Sequence, residues 1–146
     1  MFIIKNMNRI MGIDYGLKRI GIAITDFLRI TASPFDTVKN VSLKKNALKI
    51  LEIAKNRDVS IIVLGLPLNM NGTEGGMAET VRKFIEKIKF LSDIEVTTVD
   101  ERLTTVQAER MLIEEADISR EKRKGIKDKV VAALILQTYL DIQSDE

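Results

Sequence analysis

The chain has 146 residues, 45% of them hydrophobic and 30% charged, with a formal net charge of +2. That is enough length for one domain with a real core, and too little net charge to argue for a nucleic-acid partner from the whole-molecule field. Cysteine and histidine are absent, which excludes disulfides, thiolate zinc sites, Cys–His and Ser–His nucleophile pairs and histidine acid–base chemistry. An enzyme built on this chain therefore works with carboxylates, Lys, Arg, hydroxyls, backbone groups or a metal held by oxygen. The opening Met1 to Met11 is apolar but interrupted by Lys5, Asn6, Asn8 and Arg9, too short and broken for a signal or membrane segment, so a cytoplasmic protein with no membrane partner is expected.

Taken in order, a first strand is predicted at Asn8–Asp14 and a second at Arg19–Thr25, joined by Tyr15-Gly16-Leu17-Lys18, a link short enough for an antiparallel hairpin. Ala32–Val38 reads as an edge strand, because Pro34 lacks the N–H that a central ladder position requires. Leu43, Ala47, Ile50, Leu51 and Ala54 repeat at helical spacing over Ser42–Arg57, with Ser42 as N-cap. Ile61–Leu64 is a wholly apolar, β-branched run, the mark of a buried parallel strand. Leu68–Gly76, rich in turn residues, is either a simple turn or a cradle for phosphate. A second helix follows, carrying Met77, Val81, Phe84, Ile85, Ile88 and Leu91, then a fifth strand at Ile94–Val99. Thr104 and Gln107 have capping-box spacing for a third helix with Ala108, Met111, Leu112 and Ala116. Arg120–Lys129 reads as a basic loop, and Val130–Leu140 as a closing helix buried on several sides. The sum is one α/β domain over residues 1–146, a mixed sheet flanked by helices.

The carboxylates carry the chemistry. Asp14 ends an apolar run without polar alternation, so it is half-buried and either caps the hairpin turn, pairs with Lys18 or Arg19, or meets a bound cation. Of Asp100 and Glu101, adjacent on a strand, one faces the site and the other faces solvent or Arg102; periodicity does not choose. Asp128 precedes the apolar helix and is either its N-cap or a third site carboxylate. Carboxylates gathered at one sheet end repel by several kcal/mol unless a divalent cation joins them. Oxygen-only ligands select Mg²⁺ or Mn²⁺, whose phosphodiester chemistry needs no histidine. Arg120, Lys122, Arg123, Lys124, Lys127 and Lys129 are either a solvated stretch or a phosphate-contacting arm.

Four segments, Ile13-Asp-Tyr-Gly-Leu-Lys-Arg-Ile-Gly21, Gly65-Leu-Pro-Leu-Asn-Met-Asn-Gly-Thr-Glu74, Asp100-Glu-Arg-Leu-Thr-Thr105 and Lys124-Gly-Ile-Lys-Asp-Lys-Val-Val-Ala-Ala133 followed by Ile135–Leu140, together resemble the YqgF/RuvX family. The resemblance covers nearly the whole chain in the right order. It implies a ribonuclease H-like fold with sheet order 3-2-1-4-5 and a bacterial nuclease, either a Holliday junction resolvase or an enzyme completing the 5′ end of pre-16S rRNA. It places the family's acidic positions on Asp14, Glu101 and Asp128, as catalytic residues and ligands of Mg²⁺ or Mn²⁺, and so favours Glu101 over Asp100. Lys18, Arg19 and Arg102 lie inside the matching segments as phosphate contacts, with Arg123, Lys124 and Lys127 beside them. The family's common small hydroxyl residue is replaced by Leu17, and Val131 and Ala132 stand where related resolvases carry a fourth acid. The expected partner is structured RNA or branched DNA, met as a monomer or a homodimer. Two readings from other classes are a non-catalytic nucleic-acid-binding module, against which the retained acids argue, and an actin-like ATPase or kinase, against which the length argues.

Overall fold

The computed structural model describes residues 8–103 and 120–144. Five strands, β1 (Arg9–Tyr15), β2 (Arg19–Thr25), β3 (Ala32–Lys39), β4 (Val59–Leu66) and β5 (Glu95–Asp100), form one sheet in the order β3-β2-β1-β4-β5. This is the expected order. β1 and β2 are antiparallel, as the short hairpin link requires, and β4 runs parallel to both β1 and β5. β3 is an edge strand. Ile22 pairs with Asp36 and Ala23 with Pro34, so Phe35 is an extra residue beside the proline and the ladder is bulged there.

Helices α1 (Leu43–Asn56) and α2 (Gly76–Leu91) cover one face of the sheet, and α3 (Arg120–Ser144) crosses the other. Ser42 caps α1 as predicted, its hydroxyl accepting the Lys45 N–H at 3.2 Å. Strand alternation divides the core. Met11, Ile13, Ile22, Ile62 and Leu64 pack with Ile50, Phe84 and Ile88 beneath α1 and α2, whereas Ile10, Ala23, Val63 and Val99 pack with Val131, Ala132, Ile135 and Leu136 of α3. Both faces are covered, which is why β1 shows no polar alternation. No helix among the described residues is long and apolar enough to cross a membrane.

Two expectations are corrected. The stretch from Arg120 to Lys129 is helical and not a loop, so α3 begins ten residues before Val130. Arg, Lys and Glu are good helix formers, and the single Gly125 costs only about 1 kcal/mol within such a run. Asp128 consequently lies inside α3 and is not its N-cap. Strand β5 ends at Asp100, and Glu101–Leu103 form a 3₁₀ turn, so Asp100 and Glu101 are not adjacent strand residues. The third helix predicted from Thr104 and Gln107 through Ala116 falls outside the described residues.

Candidate active site

Three glycines lie under α3. A Cβ on Gly12 would stand 2.7 Å from both the Ala132 carbonyl oxygen and Leu136 Cβ, one on Gly21 would run into the Asp128 carbonyl, and one on Gly65 would stand 2.5 Å from Ile135 Cδ1. The helix therefore approaches the sheet more closely than side chains on these strands would allow. Asp14, two residues after Gly12, shares that face. It pairs in register with Gly21 on β2, while Gly65 follows Leu64, the partner of Ile13, and so lies beside Asp14 on β4. The aspartate thus sits between two strand glycines at the carboxyl end of β1.

The other two acids fill the space that those glycines leave. Glu101 Oε1 lies over Gly65, 2.5 Å from where its Cβ would be, and the backbone of Asp128 lies over Gly21. All three are buried, with 6%, 8% and 8% exposure for Asp14, Glu101 and Asp128. Asp14 and Glu101 line one cleft of about 170 Å³ with Gly65, Pro67 and Met77. The Asp128 carboxylate is engaged elsewhere: its Oδ2 accepts from Arg19 Nε at 3.0 Å. Among the described residues no three acidic side chains stand close enough together to hold an ion as placed. The structure brings Asp14 and Glu101 to one cleft and sets Asp128 on α3, over the neighbouring strand β2. Mg²⁺ keeps several waters and is commonly held by one or two carboxylates together with substrate phosphates, so this all-oxygen donor set fits a hard divalent cation.

Of the paired candidates at the end of β5, Glu101 turns inward and Asp100 turns to Arg102, the alternative that periodicity left open. Both Asp100 oxygens accept from Arg102 Nε at 3.1 Å, and Oδ2 also accepts from Nη2 at 2.7 Å. The guanidinium holds the Asp100 carboxyl below the usual carboxylate range, and the carboxylate raises Arg102 in turn. Arg102 Nη1 donates to the Met70 carbonyl at 3.2 Å, so this arginine ties the turn carrying Glu101 to the loop after β4. That loop is a self-bonded turn. Its Asn69 and Gly72 N–H groups donate within it, to Thr73 and Asn69 carbonyls, and the Thr73 N–H donates to Asn71 Oδ1. Gly72 adopts φ +89°, a conformation that disfavours other residues. The loop is thus a turn closed by its own hydrogen bonds.

Lys18 and Arg19 line a separate cleft of about 540 Å³ with Lys39 and Asn40, beside the β1–β2 link. Lys127 is half-buried one residue before Asp128. Arg123 and Lys124 lie on the first turns of α3, their side chains outside the described set. Sequence reasoning missed the part played by Gly21 and Gly65, and the Arg19–Asp128 pair. A glycine inside an apolar strand run is the available signal for the first; nothing in the sequence signals the second.

A profile of the family described as RuvX, Holliday junction resolvase, matches residues 8–142. A protein of Thermoanaerobacter pseudethanolicus named "Putative pre-16S rRNA nuclease" is 49% identical over 138 residues, covering 94% of this chain and 99% of its own. A protein of the same name from Clostridioides difficile is 49% identical over 135 residues, covering 92% and 95%. Among solved structures, Thermus thermophilus RuvC in complex with a Holliday junction substrate superposes with a TM-score of 0.58 at 13% identity, over 94% of this chain and 96% of that one. The Fowlpox virus resolvase in complex with Holliday junction DNA gives 0.55 at 15% identity, over 92% and 98%. These two likenesses, at low identity, establish the ribonuclease H-like fold. With nearly half of its residues shared along almost the full length of its relatives, and the family profile spanning both the glycine row and the acids set over it, the chain belongs to the RuvX (YqgF) family.

Proposed function

We propose that the chain is a Mg²⁺- or Mn²⁺-dependent endonuclease that hydrolyses phosphodiester bonds in structured nucleic acid, with the 5′-extended precursor of 16S rRNA as its substrate. The observation that carries the reading is Asp14 set between Gly21 and Gly65, with Glu101 and Asp128 placed over those glycines. Buried carboxylates gathered at one sheet end lower the stability of the fold unless an opposite charge, such as a bound cation, offsets them. The substrate follows the names of the relatives at 49% identity.

In this reading Asp14 and Glu101 hold the cation in the cleft and Asp128 completes the oxygen set. The cation, when bound, supplies the positive charge and Lewis acidity that phosphodiester hydrolysis needs in a chain without histidine. Lys18, Arg19 and Lys127 meet phosphates along the β2–α3 side and hold the strand in place, and Arg123 and Lys124 are further phosphate contacts read from the sequence alone. Arg102, a phosphate contact by sequence, instead fixes the turn that presents Glu101. The family description favours a second substrate, the four-way DNA junction, whose two-fold symmetry asks for a homodimer.

The test is cleavage of a 5′-extended 16S rRNA precursor and a four-way DNA junction, side by side with Mg²⁺ or Mn²⁺, by wild type and Asp14→Asn. Cutting of the precursor that disappears in Asp14→Asn is expected. Cutting of the junction alone transfers the reading to DNA, and no metal-dependent cutting of either leaves a binding module.

A further inference from the structure

The Arg19–Asp128 pair has a role beyond charge balance. Asp128 is a buried acid whose charge must be compensated, and Arg19 compensates it through Nε. A cation in the neighbouring cleft would compete with Arg19 for the same carboxylate. The backbone of Asp128 is pressed against Gly21, which leaves rotation of the side chain as the way for the carboxylate to change partners. The Asp128 side chain is only 12% exposed, but that of Arg19 is 32% exposed, on a basic cleft shared with Lys18 and Lys39. Asp128 meets Arg19 through Nε, and the other edge of a partly exposed guanidinium fork is suited to a phosphate.

We infer that Arg19 is a positioning residue that holds the Asp128 carboxylate in competition with a divalent cation, and that a nucleic-acid phosphate engaging Arg19 releases Asp128 to the cation. The inference rests on the metal-dependent reading above. Linkage makes the effect reciprocal: phosphate on Arg19 tightens cation binding, and cation on Asp128 tightens nucleic-acid binding.

The experiment is titration with Mn²⁺, followed by the paramagnetic resonance of the free ion, on wild type, Arg19→Gln, Arg19→Lys, Lys18→Gln, Asp128→Asn and the double variant Arg19→Gln/Asp128→Asn. Arg19→Gln is expected to bind Mn²⁺ roughly tenfold more tightly than wild type, and Arg19→Lys, which keeps a charge without the fork, by an intermediate factor. Lys18→Gln reports the plain effect of removing a nearby charge, and Arg19→Gln must exceed it. In the Asp128→Asn background the gain from Arg19→Gln must shrink to that of Lys18→Gln, which a general electrostatic effect on Asp14 and Glu101 would not do. A fully phosphorothioate four-way junction, corrected for Mn²⁺ held by the DNA itself, is expected to tighten Mn²⁺ binding in wild type and not in Arg19→Gln.

Arg19→Gln and wild type binding Mn²⁺ equally, with binding lost in Asp14→Asn, overturns the inference and leaves the site reading standing. Mn²⁺ binding that survives in Asp14→Asn overturns both. Equal wild-type affinity with and without the junction overturns the linkage to phosphate.

Discussion

Gly65→Ala tests the site through its packing without touching a carboxylate. Gly65 has no positive φ, so alanine is tolerated by the backbone and only the new methyl matters. That methyl would stand 2.5 Å from Glu101 Oε1, 2.5 Å from Ile135 Cδ1 and 3.1 Å from Ile135 Cγ1. All three neighbours are side-chain atoms, two of them the far ends of their chains, unlike at Gly21, where backbone of α3 is met and the helix itself would have to move. Restoring ordinary contact displaces the Glu101 carboxylate by about 1 Å, and a misplacement of that size costs on the order of 100-fold in rate when the group is part of the site. Overpacking against Ile135, fully buried in the α3 core, adds about 1–2 kcal/mol of destabilisation. Ile135→Val removes Cδ1 and relieves that strain without giving Glu101 its place back. The double variant Gly65→Ala/Ile135→Val should therefore recover most of the lost melting temperature and almost none of the lost metal-dependent cleavage. Thermal unfolding beside cleavage of the 5′-extended precursor separates the two effects. A folded Gly65→Ala protein that cleaves at the wild-type rate would remove Glu101 from the site.

Two further outcomes follow from the fold. Asn46 is 2% exposed and its amide joins three segments: Oδ1 accepts from the Val41 N–H at 2.9 Å, and Nδ2 donates to the Tyr15 hydroxyl at 3.1 Å and to Asn40 Oδ1 at 2.7 Å. Asn46→Ala strands these partners and should cost about 2–4 kcal/mol in denaturant unfolding; a loss below about 0.5 kcal/mol would show that water replaces the amide. The Arg102 guanidinium lowers the Asp100 carboxyl, and N–H groups of Thr31 and Ile30 lower that of Asp26. In the folded chain both bind protons less readily than in the unfolded one. Their contribution is thus present above the ordinary carboxylate range and is lost as pH falls through the lowered folded values, below about pH 4. Melting temperature should fall with acid less steeply in Asp100→Asn/Asp26→Asn than in wild type over that window, and parallel acid limbs would contradict the assignment.

What could be read from the sequence was what apolar periodicity reports. The β1–β2 hairpin, the edge position of β3 and the span of α1 follow from alternation, Pro34 and the Ser42 cap, and Asp14 stood out as a charge ending an apolar run. Periodicity failed where the signal it needs is absent. Arg120–Lys129 has no apolar stripe, so its helix was invisible and an N-cap stayed open as one of the two readings of Asp128. Glu101 could not be separated from Asp100 by strand alternation, because the chain leaves the strand between them and turns into a 3₁₀ helix. Asn46 is a polar residue on a helix, and its spacing carries no signal of burial. Gly21 and Gly65 carry no side chain to mark a face, and their role depends on α3, more than fifty residues away in sequence.

The glycine row also explains how acids this buried can serve a changing set of partners. Gly21 admits the backbone of Asp128 and Gly65 admits the carboxylate of Glu101, so one acid is fixed by its main chain and the other by its terminal atoms. Asp14 is fixed by the ladder between β1 and β2. Interiors packed to this density do not stretch to follow a ligand, which leaves rotation about side-chain bonds as the adjustment available. In the inference drawn above, the Arg19–Asp128 pair is the place where such a rotation exchanges one partner for another. A site of this kind keeps its scaffold rigid while its charges are rearranged.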